Sequence, residues 1–248
     1  MLLIQPTESK TLARIVADDF RAAQIFERYG LDYCCKGKRQ LSVACHEKGL
    51  QPTEVITELE SLASEQNNTQ RFNSWSVDFL TEYIVQQHHT YVRTMMPLIL
   101  GHLQKVINAH GEKYPEIAEI QYRFEKLYPI LINHLLEEEA TVFPLIKVVA
   151  LSRQLNLSEE FIEKELETFL ANLDEEHSEV GDTLKEIQTL SNNFTPPGGA
   201  CTTFRVLYQE LKAFQEDMFH HIHLENNILF PKVLAKYDDP NQFQISNN

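Results

Sequence analysis

Residues 134–144 read HLLEEEATVFP, and residues 221–231 read HIHLENNILFP. Both stretches follow the pattern H-x-x-x-E-x-x-x-x-F-P, which gives two histidine–glutamate pairs: His134 with Glu138, and His221 with Glu225. A step of four residues places two side chains on one face of an α-helix, about 6 Å apart. That is a suitable spacing for two ligands of one metal ion. A single pair is weak evidence, but the repetition with the same Phe-Pro ending predicts a metal site shared by two helices.

The composition narrows the classes of partner. A net charge of −14 argues against nucleic acid, whose phosphates are bound by Lys and Arg, and KGKR at 36–39 is the one basic cluster. The apolar runs are too short to cross a bilayer, and the first ten residues lack the basic region and cleavage site of a signal peptide. We therefore expect a cytoplasmic protein that binds neither nucleic acid nor membrane.

Helix-type spacing of apolar residues dominates the chain, which has only 8 glycines and 10 prolines. The predicted fold class is therefore all-α. Residues 1–68 are predicted to form a small helical domain from short pieces, one ending at Gly30 and another starting after Pro52. A polar stretch near 64–74 is predicted to be a linker, and residues 75–240 a four-helix bundle.

Four long helical segments are predicted in the bundle, at 76–109, 115–150, 158–191 and 201–237. The loop SNNFTPPGGA separates the last two, and the short connections favour an up-down-up-down arrangement. Both Phe-Pro dipeptides fall inside helical segments. Because proline removes a backbone donor, it kinks or ends a helix. Each predicted site is therefore followed by either a bend or an interruption, and the pattern is compatible with both.

The two other long helices contain further histidines. One has His177 in DEEHSEVGD, and the first has the neighbouring pair His88 and His89 in YIVQQHHTYVR. These neighbours point about 100° apart, so at most one of them faces the site squarely. Four histidines and two carboxylates exceed the four ligands of a structural zinc site and suit two metal ions bridged by the carboxylates. Imidazole with carboxylate favours iron or manganese.

A ferritin-like site, with Glu-x-x-His on two helices, is the alternative arrangement. Three residues before His177 and His220, however, the sequence has aspartate rather than glutamate. The His-x-x-x-Glu interpretation is therefore preferred. On the last helix, His220 and His223 point about 100° and 200° away from His221 and are not predicted to be ligands.

The four cysteines fit neither a zinc-ligand pattern nor a disulfide framework. Cys45 and Cys201 are predicted to be small buried residues. Cys34 and Cys35 are adjacent, and a disulfide between them would be strained because their Cα atoms are only about 3.8 Å apart. The cations in KGKR favour the reactive thiolate form. We therefore predict a redox or iron-handling role for this pair, with a purely structural pair as the alternative.

Several motifs together resemble one family. The two histidine–glutamate stretches resemble the ligand helices of hemerythrin-like di-iron proteins. LDYCCKGKRQL, TPPGGACTTF and LENNILFP resemble, more narrowly, the iron–sulfur cluster repair di-iron proteins, the RIC (repair of iron centres) family. The resemblance covers nearly the whole chain. It implies a hemerythrin-like up-down four-helix bundle after a small N-terminal domain, and two iron ions with oxo and carboxylate bridges.

The resemblance also implies a set of metal ligands. Carried over by motif, they are His89, His134, Glu138, His177, His221 and Glu225. His89 is preferred because family members keep a fixed spacing from this ligand to the following proline, here Pro97, while His88 stays open. His110 resembles a histidine near the family's site and is a further candidate.

The function that the resemblance implies is repair of iron–sulfur clusters damaged by nitrosative or oxidative stress, with iron donated to the cluster. Iron–sulfur proteins would be the clients, and a homodimer is expected. One alternative is nitric oxide reduction at the di-iron site, with Cys34 and Cys35 passing electrons. Another is a module that senses or stores O2, NO or iron. Gly181 stands where oxygen-carrying hemerythrins have a second histidine four residues after His177, which leaves one iron more open to a small molecule.

Overall fold

The computed structural model describes residues 7–63, 71–155 and 160–234, and it confirms the all-α class. The predicted linker and the predicted outer ends of the third and fourth long helices fall partly outside these ranges. In the described part of the chain, β-structure is limited to an isolated bridge between Thr11 and Gln40. None of the helices in these ranges has the length and apolar character needed to cross a membrane.

The helices are short near the N-terminus and long in the rest of the chain. In chain order, the α-helices of the described residues are α1 (Leu12–Asp18), α2 (Ala22–Arg28), α3 (Leu41–Glu47), α4 (Pro52–Ala63), α5 (Val77–Tyr83), α6 (Thr90–His110), α7 (Glu116–Glu137), α8 (Phe143–Gln154), α9 (Glu160–Leu190), α10 (Thr202–Leu224) and α11 (Phe230–Leu234). Three π-helical segments join α5 to α6, α7 to α8 and α10 to α11: Ile84–His89, Glu138–Val142 and Glu225–Leu229. The joined helices and α9 are the four long helices of the bundle.

The chain divides into two compact units. Unit 1 contains residues 1–80 together with 222–248, and unit 2 contains residues 81–221. The boundary between residues 221 and 222 falls inside the continuous helix from α10 to α11, so the end of the last long helix belongs to the unit of the N-terminal helices. This division differs from the predicted domains 1–68 and 75–240, because α1 packs against the segment 225–229.

The core of unit 2 follows from apolar residues repeated at steps of three and four. On α7, the buried residues continue through Phe124, Leu127 and Leu131 to His134. On α9, a similar buried stripe contains His177, and on α10 another contains His221. The predicted ligands therefore lie on the buried faces of their helices, among the side chains that hold the helices together.

The π-helical segments explain how the helices continue past Phe-Pro. The Phe143 N–H donates to the Glu138 carbonyl, and the Phe230 N–H donates to the Glu225 carbonyl, both five residues back. Each proline, Pro144 or Pro231, comes directly after this wider turn. Because the hydrogen-bond pattern has already shifted there, the missing N–H of proline does not break a regular α-helical hydrogen bond in the helix that follows. Both helices therefore continue past Phe-Pro through a π-helical segment. Each of these two segments begins at a predicted ligand, Glu138 or Glu225.

In unit 1, the first predicted helical piece is divided into α1 and α2. Asp19 has an extended backbone, and its carboxylate accepts hydrogen bonds from the N–H and the side chain of Arg21. Such a local side-chain bond competes with helix continuation. Gly30 follows α2 in the left-handed region, at φ 64°, as its predicted role as a helix stop requires.

The end of the last long helix is anchored in unit 1 by polar contacts. Asn227 Nδ2 donates to the carbonyl oxygens of Tyr33, at 3.2 Å, and Cys34, at 3.1 Å. The fully buried His223 ring lies 5.6 Å from the Tyr33 ring. Burial lowers the pKa of His223 to about 3, against an opposing hydrogen bond with the Tyr33 backbone, so the imidazole is neutral. His223 is thus a packing residue of unit 1.

Candidate metal centre

Five of the six predicted ligands converge in unit 2. One group consists of His89, Glu138 and His221, and a second of His134, Glu138 and His177. Within each group the potential ligand atoms lie within 4.8 Å of one another. All five side chains are at most 3% exposed. The two groups share Glu138, which is fully buried.

Glu138 lies between the two groups, with one oxygen toward each. Its Oε2 is 3.3 Å from His89 Nε2, and its Oε1 is 3.2 Å from His134 Nε2. Each Glu138 oxygen therefore faces a different imidazole, and this arrangement of buried imidazoles and a carboxylate is suited to binding metal.

Glu176, which is not one of the predicted ligands, determines which ring nitrogen of His134 carries the proton. His134 Nδ1 lies 2.7 Å from Glu176 Oε2, and this hydrogen bond, against the opposing effect of partial burial, lowers the pKa of Glu176 and keeps it ionised. An ionised carboxylate only accepts, so the proton is on Nδ1 and the lone pair is on Nε2. That Nε2 lies 3.0 Å from His177 Nε2, with the Glu138 oxygen on another side.

His89 is held in the same way. Its Nδ1 lies 2.7 Å from Glu139 Oε1, which also accepts a hydrogen bond from Arg93 at 2.8 Å. Burial raises the pKa of Glu139, but the hydrogen bonds from Arg93 and His89 outweigh it, so the pKa stays below its usual value. The His89 proton is therefore also on Nδ1, and its Nε2 lone pair faces Glu138.

The residues present fit a metal cation. Imidazole lone pairs lie about 3 Å from carboxylate oxygens in a place shielded from water. Two acceptors at that distance repel each other unless a positive charge lies near both. Histidines that donate their other N–H to a carboxylate are the usual ligands of divalent metals. The mixture of imidazole and carboxylate suits iron or manganese.

Glu225, the sixth predicted ligand, belongs to unit 1. It follows His221 by four residues in the continuous helix and is fully buried. It also begins the third π-helical segment, just as Glu138 begins the second. Its local environment in the helix therefore repeats that of Glu138.

Other histidines considered from the sequence are placed elsewhere. His88 bonds through Nδ1 to Asp217 Oδ1 at 3.0 Å and is in neither ligand group. The structure thus places His89, rather than its neighbour, beside Glu138. His110 is 21 residues further along the helix, about 30 Å at 1.5 Å per residue. Its Nε2 lies 3.2 Å from Cys201 Sγ, so the structure does not bring this candidate to the ligand groups.

The cysteines differ in burial. Cys45 is buried, as predicted, whereas Cys201 is exposed, so the prediction that it is a buried residue is wrong. Cys201 directly precedes α10, where its side chain meets His110 rather than the core. Cys34 is buried, Cys35 is partly exposed, and neither forms a disulfide. They lie in unit 1, with their sulfur atoms 3.5 Å apart.

Glu139 and Glu176 were not predicted from the sequence. Each is next to a predicted ligand, in the acidic runs EEE and DEEH, where nothing distinguishes it from a solvated surface residue. The signal that could have found them is geometric: a ligand histidine usually donates its second N–H to a carboxylate. Only the packing of α9 on α7 shows which acid is within reach of His134.

Replacing Glu176 with glutamine is expected to weaken metal binding by about 10- to 100-fold, as loss of such a supporting carboxylate usually does. The amide no longer fixes the proton on His134 Nδ1, so the Nε2 lone pair is less available. Competition between the protein and a chelator for ferrous iron measures the change. Glu175→Gln, at the exposed neighbouring position, is the matched control and should bind as tightly as the unmodified protein. Equal affinities for all three proteins would contradict the role of Glu176.

Comparison with known families matches both parts of the chain. Residues 81–233 match the model of the hemerythrin HHE cation binding domain. Residues 8–63 match the model of a domain of unknown function, DUF542. The first match contains the five converging residues and Glu225, and the second contains Cys34 and Cys35.

Three curated proteins similar to this chain are named as iron-sulfur cluster repair proteins. A probable iron-sulfur cluster repair protein of Haemophilus influenzae is 35% identical over 219 residues, which is 86% of this chain and 91% of that protein. The iron-sulfur cluster repair protein YtfE of Escherichia coli O8 is 32% identical over 215 residues, or 87% of this chain and 92% of that protein. The YtfE protein of Escherichia fergusonii is 31% identical with the same coverage.

Proposed function

The chain belongs to the family of iron–sulfur cluster repair proteins with a hemerythrin-type cation-binding domain, and we propose that it repairs clusters by donating iron from a two-iron centre. Its clients are iron–sulfur proteins whose clusters are damaged. The observation that carries the two-iron proposal is the orientation of Glu138, whose oxygens face His89 and His134 separately.

In this proposal the ligands divide between two irons. His89 and His221 would hold one ion and His134 and His177 the other, with Glu138 as the ligand common to both. Glu225, the second predicted carboxylate ligand, would complete the set. Its four-residue step from His221, its burial and its place at the start of a π-helical segment support this role. When bound, the irons would supply reversible change between the ferrous and ferric states.

The release of iron follows from the chemistry of these ligands. Carboxylates are hard ligands that bind ferric iron more firmly than ferrous iron. A reductant that converts bound iron to the ferrous state would therefore weaken the hold of Glu138 and Glu225, while Glu139 and Glu176 keep the rings of His89 and His134 in position. The ferrous ion is the species delivered to the client.

The experiment for this function is repair of a purified [4Fe–4S] enzyme that has been inactivated by nitric oxide or peroxide. Iron-loaded protein with a reductant should restore its activity, and the same protein stripped of iron should not. Glu138→Gln protein incubated with the same total iron serves as the control for free iron in solution. Equal recovery with free iron alone would contradict donation by this protein.

A second candidate is reduction of nitric oxide at the same centre. It is favoured by Gly181, which is four residues after His177 on α9 and offers no side chain where a further ligand would stand. The ion held by His134 and His177 would then be more open to a small molecule such as NO or O2. Steady consumption of nitric oxide with a reductant, over many equivalents per chain, would favour this reaction over donation.

The cellular setting is part of the proposal. A net charge of −14 disfavours binding to nucleic acid or to anionic membrane surfaces, since both require cationic patches. Repair of metabolic iron–sulfur enzymes under nitrosative stress fits a cytoplasmic protein. Cys34 and Cys35 are proposed to serve redox or iron handling in this setting, because their sulfur atoms lie 3.5 Å apart and Cys35 is partly exposed.

A further inference from the structure

Unit 1 contains a second cluster of potential metal ligands, formed by Asp32, Cys34 and Cys35. Their ligand atoms lie within 4.8 Å of one another. Cys34 Sγ is 3.5 Å from Cys35 Sγ and 3.4 Å from Asp32 Oδ1. None of the three belongs to the histidine–carboxylate groups described above.

These separations agree with the edges of a tetrahedral metal site. A metal–sulfur distance of about 2.3 Å and a metal–oxygen distance of about 2.1 Å place two sulfurs about 3.8 Å apart and a sulfur and an oxygen about 3.6 Å apart. The observed values are only slightly shorter. A disulfide would instead require the sulfurs to approach to about 2.05 Å. The thiols are therefore closer to a chelating arrangement than to a covalent bond.

The backbone that carries the cluster is held by contacts of its own. Asp32 Oδ1 accepts the N–H groups of Cys35, at 3.0 Å, and Lys36, at 3.2 Å. Asn227 donates to the carbonyls of Tyr33 and Cys34. A Cβ added at Gly37 would lie 2.2 Å from the Tyr33 oxygen, so the turn closes too tightly for any larger residue. The Cys34 thiol also donates to Asp32 Oδ1, so the turn brings a carboxylate and both sulfur atoms together.

We propose that Asp32, Cys34 and Cys35 form a third cation site, for a thiophilic divalent ion such as ferrous iron, with its fourth position open. The two thiols each release a proton to solvent when the ion binds, so one divalent cation replaces two protons. Cys34 is buried, whereas Asp32 and Cys35 are partly exposed, and the ion enters from their side. Lys36 and Lys38 in the same turn offset the net charge of −1 that three anionic ligands leave on the complex.

The role of this site rests on the proposed donation of iron. Ferrous iron that is held weakly by carboxylates is bound more firmly by thiolates, which are softer ligands. The open position lets a client thiolate or sulfide replace a ligand. Asn227, which holds the backbone of the site, follows Glu225 by two residues in the same helix.

The test uses the full-length, reduced protein with its two irons in place and cobalt(II) as the probe. Cobalt bound by thiolates gives a charge-transfer absorption that cobalt bound by imidazole and carboxylate lacks. The expected result is this band at one cobalt per chain, with about two protons released for each ion bound. No thiolate band, or no proton release, would overturn the proposal.

Asp32→Asn is the discriminating variant. Its amide oxygen still accepts the N–H groups of Cys35 and Lys36, so the turn is retained while a charged ligand is lost. Cobalt affinity should fall by at least about tenfold, since even partners outside a ligand set cost 10- to 100-fold. Cys35→Ser, at a partly exposed position, should abolish the band, and Cys201→Ser, at an exposed thiol elsewhere, should leave it unchanged. An unchanged affinity in Asp32→Asn would overturn the three-ligand site.

The same proteins separate this inference from the proposed function. Cobalt binding by a protein that cannot restore a damaged cluster enzyme would leave the site standing and remove iron donation. Full repair by Cys35→Ser, with no cobalt band in any of the proteins, would remove the third cation site and leave iron donation standing. The result that we expect is weaker cobalt binding and reduced repair in Asp32→Asn, and loss of both the band and repair in Cys35→Ser.

Discussion

Replacing Glu138 with glutamine is expected to remove both irons of the proposed two-iron centre. Glu138 is the residue common to the two ligand groups of unit 2, and each of its oxygens faces a different imidazole. A glutamine has the same shape, but it is neutral and has one oxygen, so it cannot bridge two cations. Iron content after purification should fall from two ions per chain to almost none.

His177→Ala is the informative comparison for this experiment. His177 belongs to one group only, so its loss should release one iron and leave the ion beside His89 and His221. Glu137→Gln, one position before the bridge and exposed, is the control for a change of charge and should retain both irons. Loss of a single iron from Glu138→Gln would show that the carboxylate is a terminal ligand of one ion and would remove the bridging role.

Removal of iron by a chelator is expected to lower the thermal stability of the protein substantially. A ligand at about 100 times its dissociation constant stabilises the folded state by about 2.7 kcal/mol, so two ions give about 5 kcal/mol. For a chain of this size, each kcal/mol shifts the melting temperature by about 2–4 °C. The expected decrease is therefore about 10–20 °C, measured by circular dichroism of the helices.

Loss of the ions destabilises the fold because buried groups that repel each other then lie in contact. Without them, imidazole lone pairs and carboxylate oxygens lie about 3 Å apart among side chains that are almost fully buried. Glu138→Gln protein is the control, since it should melt at the same temperature with and without chelator. Equal melting temperatures of the iron-loaded and stripped protein would contradict an internal two-ion centre.

Much of the fold could be predicted from the sequence because its signals are local. Steps of three and four between apolar residues define the long helices, and Gly30 and Pro52 mark a helix end and a helix start. The same periodicity carries His134 and His177 on buried faces. The repeated His-x-x-x-Glu spacing therefore indicated the part of the bundle in which the structure brings these side chains together.

The parts that could not be predicted depend on contacts between distant segments. Only the packing of their helix distinguishes the adjacent residues His88 and His89. It places His88 beside Asp217 and His89 beside Glu138. The π-helical segments depend on the register around each Phe-Pro, for which the sequence was compatible with a bend or an interruption. Cys201 was wrongly predicted to be buried, because that prediction rested on the residue type alone, whereas its side chain lies beside His110 at an exposed position.

The role of Asp32 also depended on the fold. In the sequence Asp32 is an acidic residue before Tyr33, and only the two adjacent cysteines indicate a reactive or metal-binding group. The turn that follows brings its carboxylate to 3.4 Å from Cys34 Sγ. Its contribution could not be derived from spacing, since a residue two positions from a cysteine faces it only in particular turns.

The most direct measurement is the metal content of the full-length protein purified without added metal, with its absorption spectrum before and after dithionite. The two ligand groups joined by Glu138 predict two irons per chain, with near-ultraviolet bands of an oxo-bridged ferric pair that bleach on reduction. One zinc per chain, or a folded protein with no metal at all, would contradict the two-iron centre.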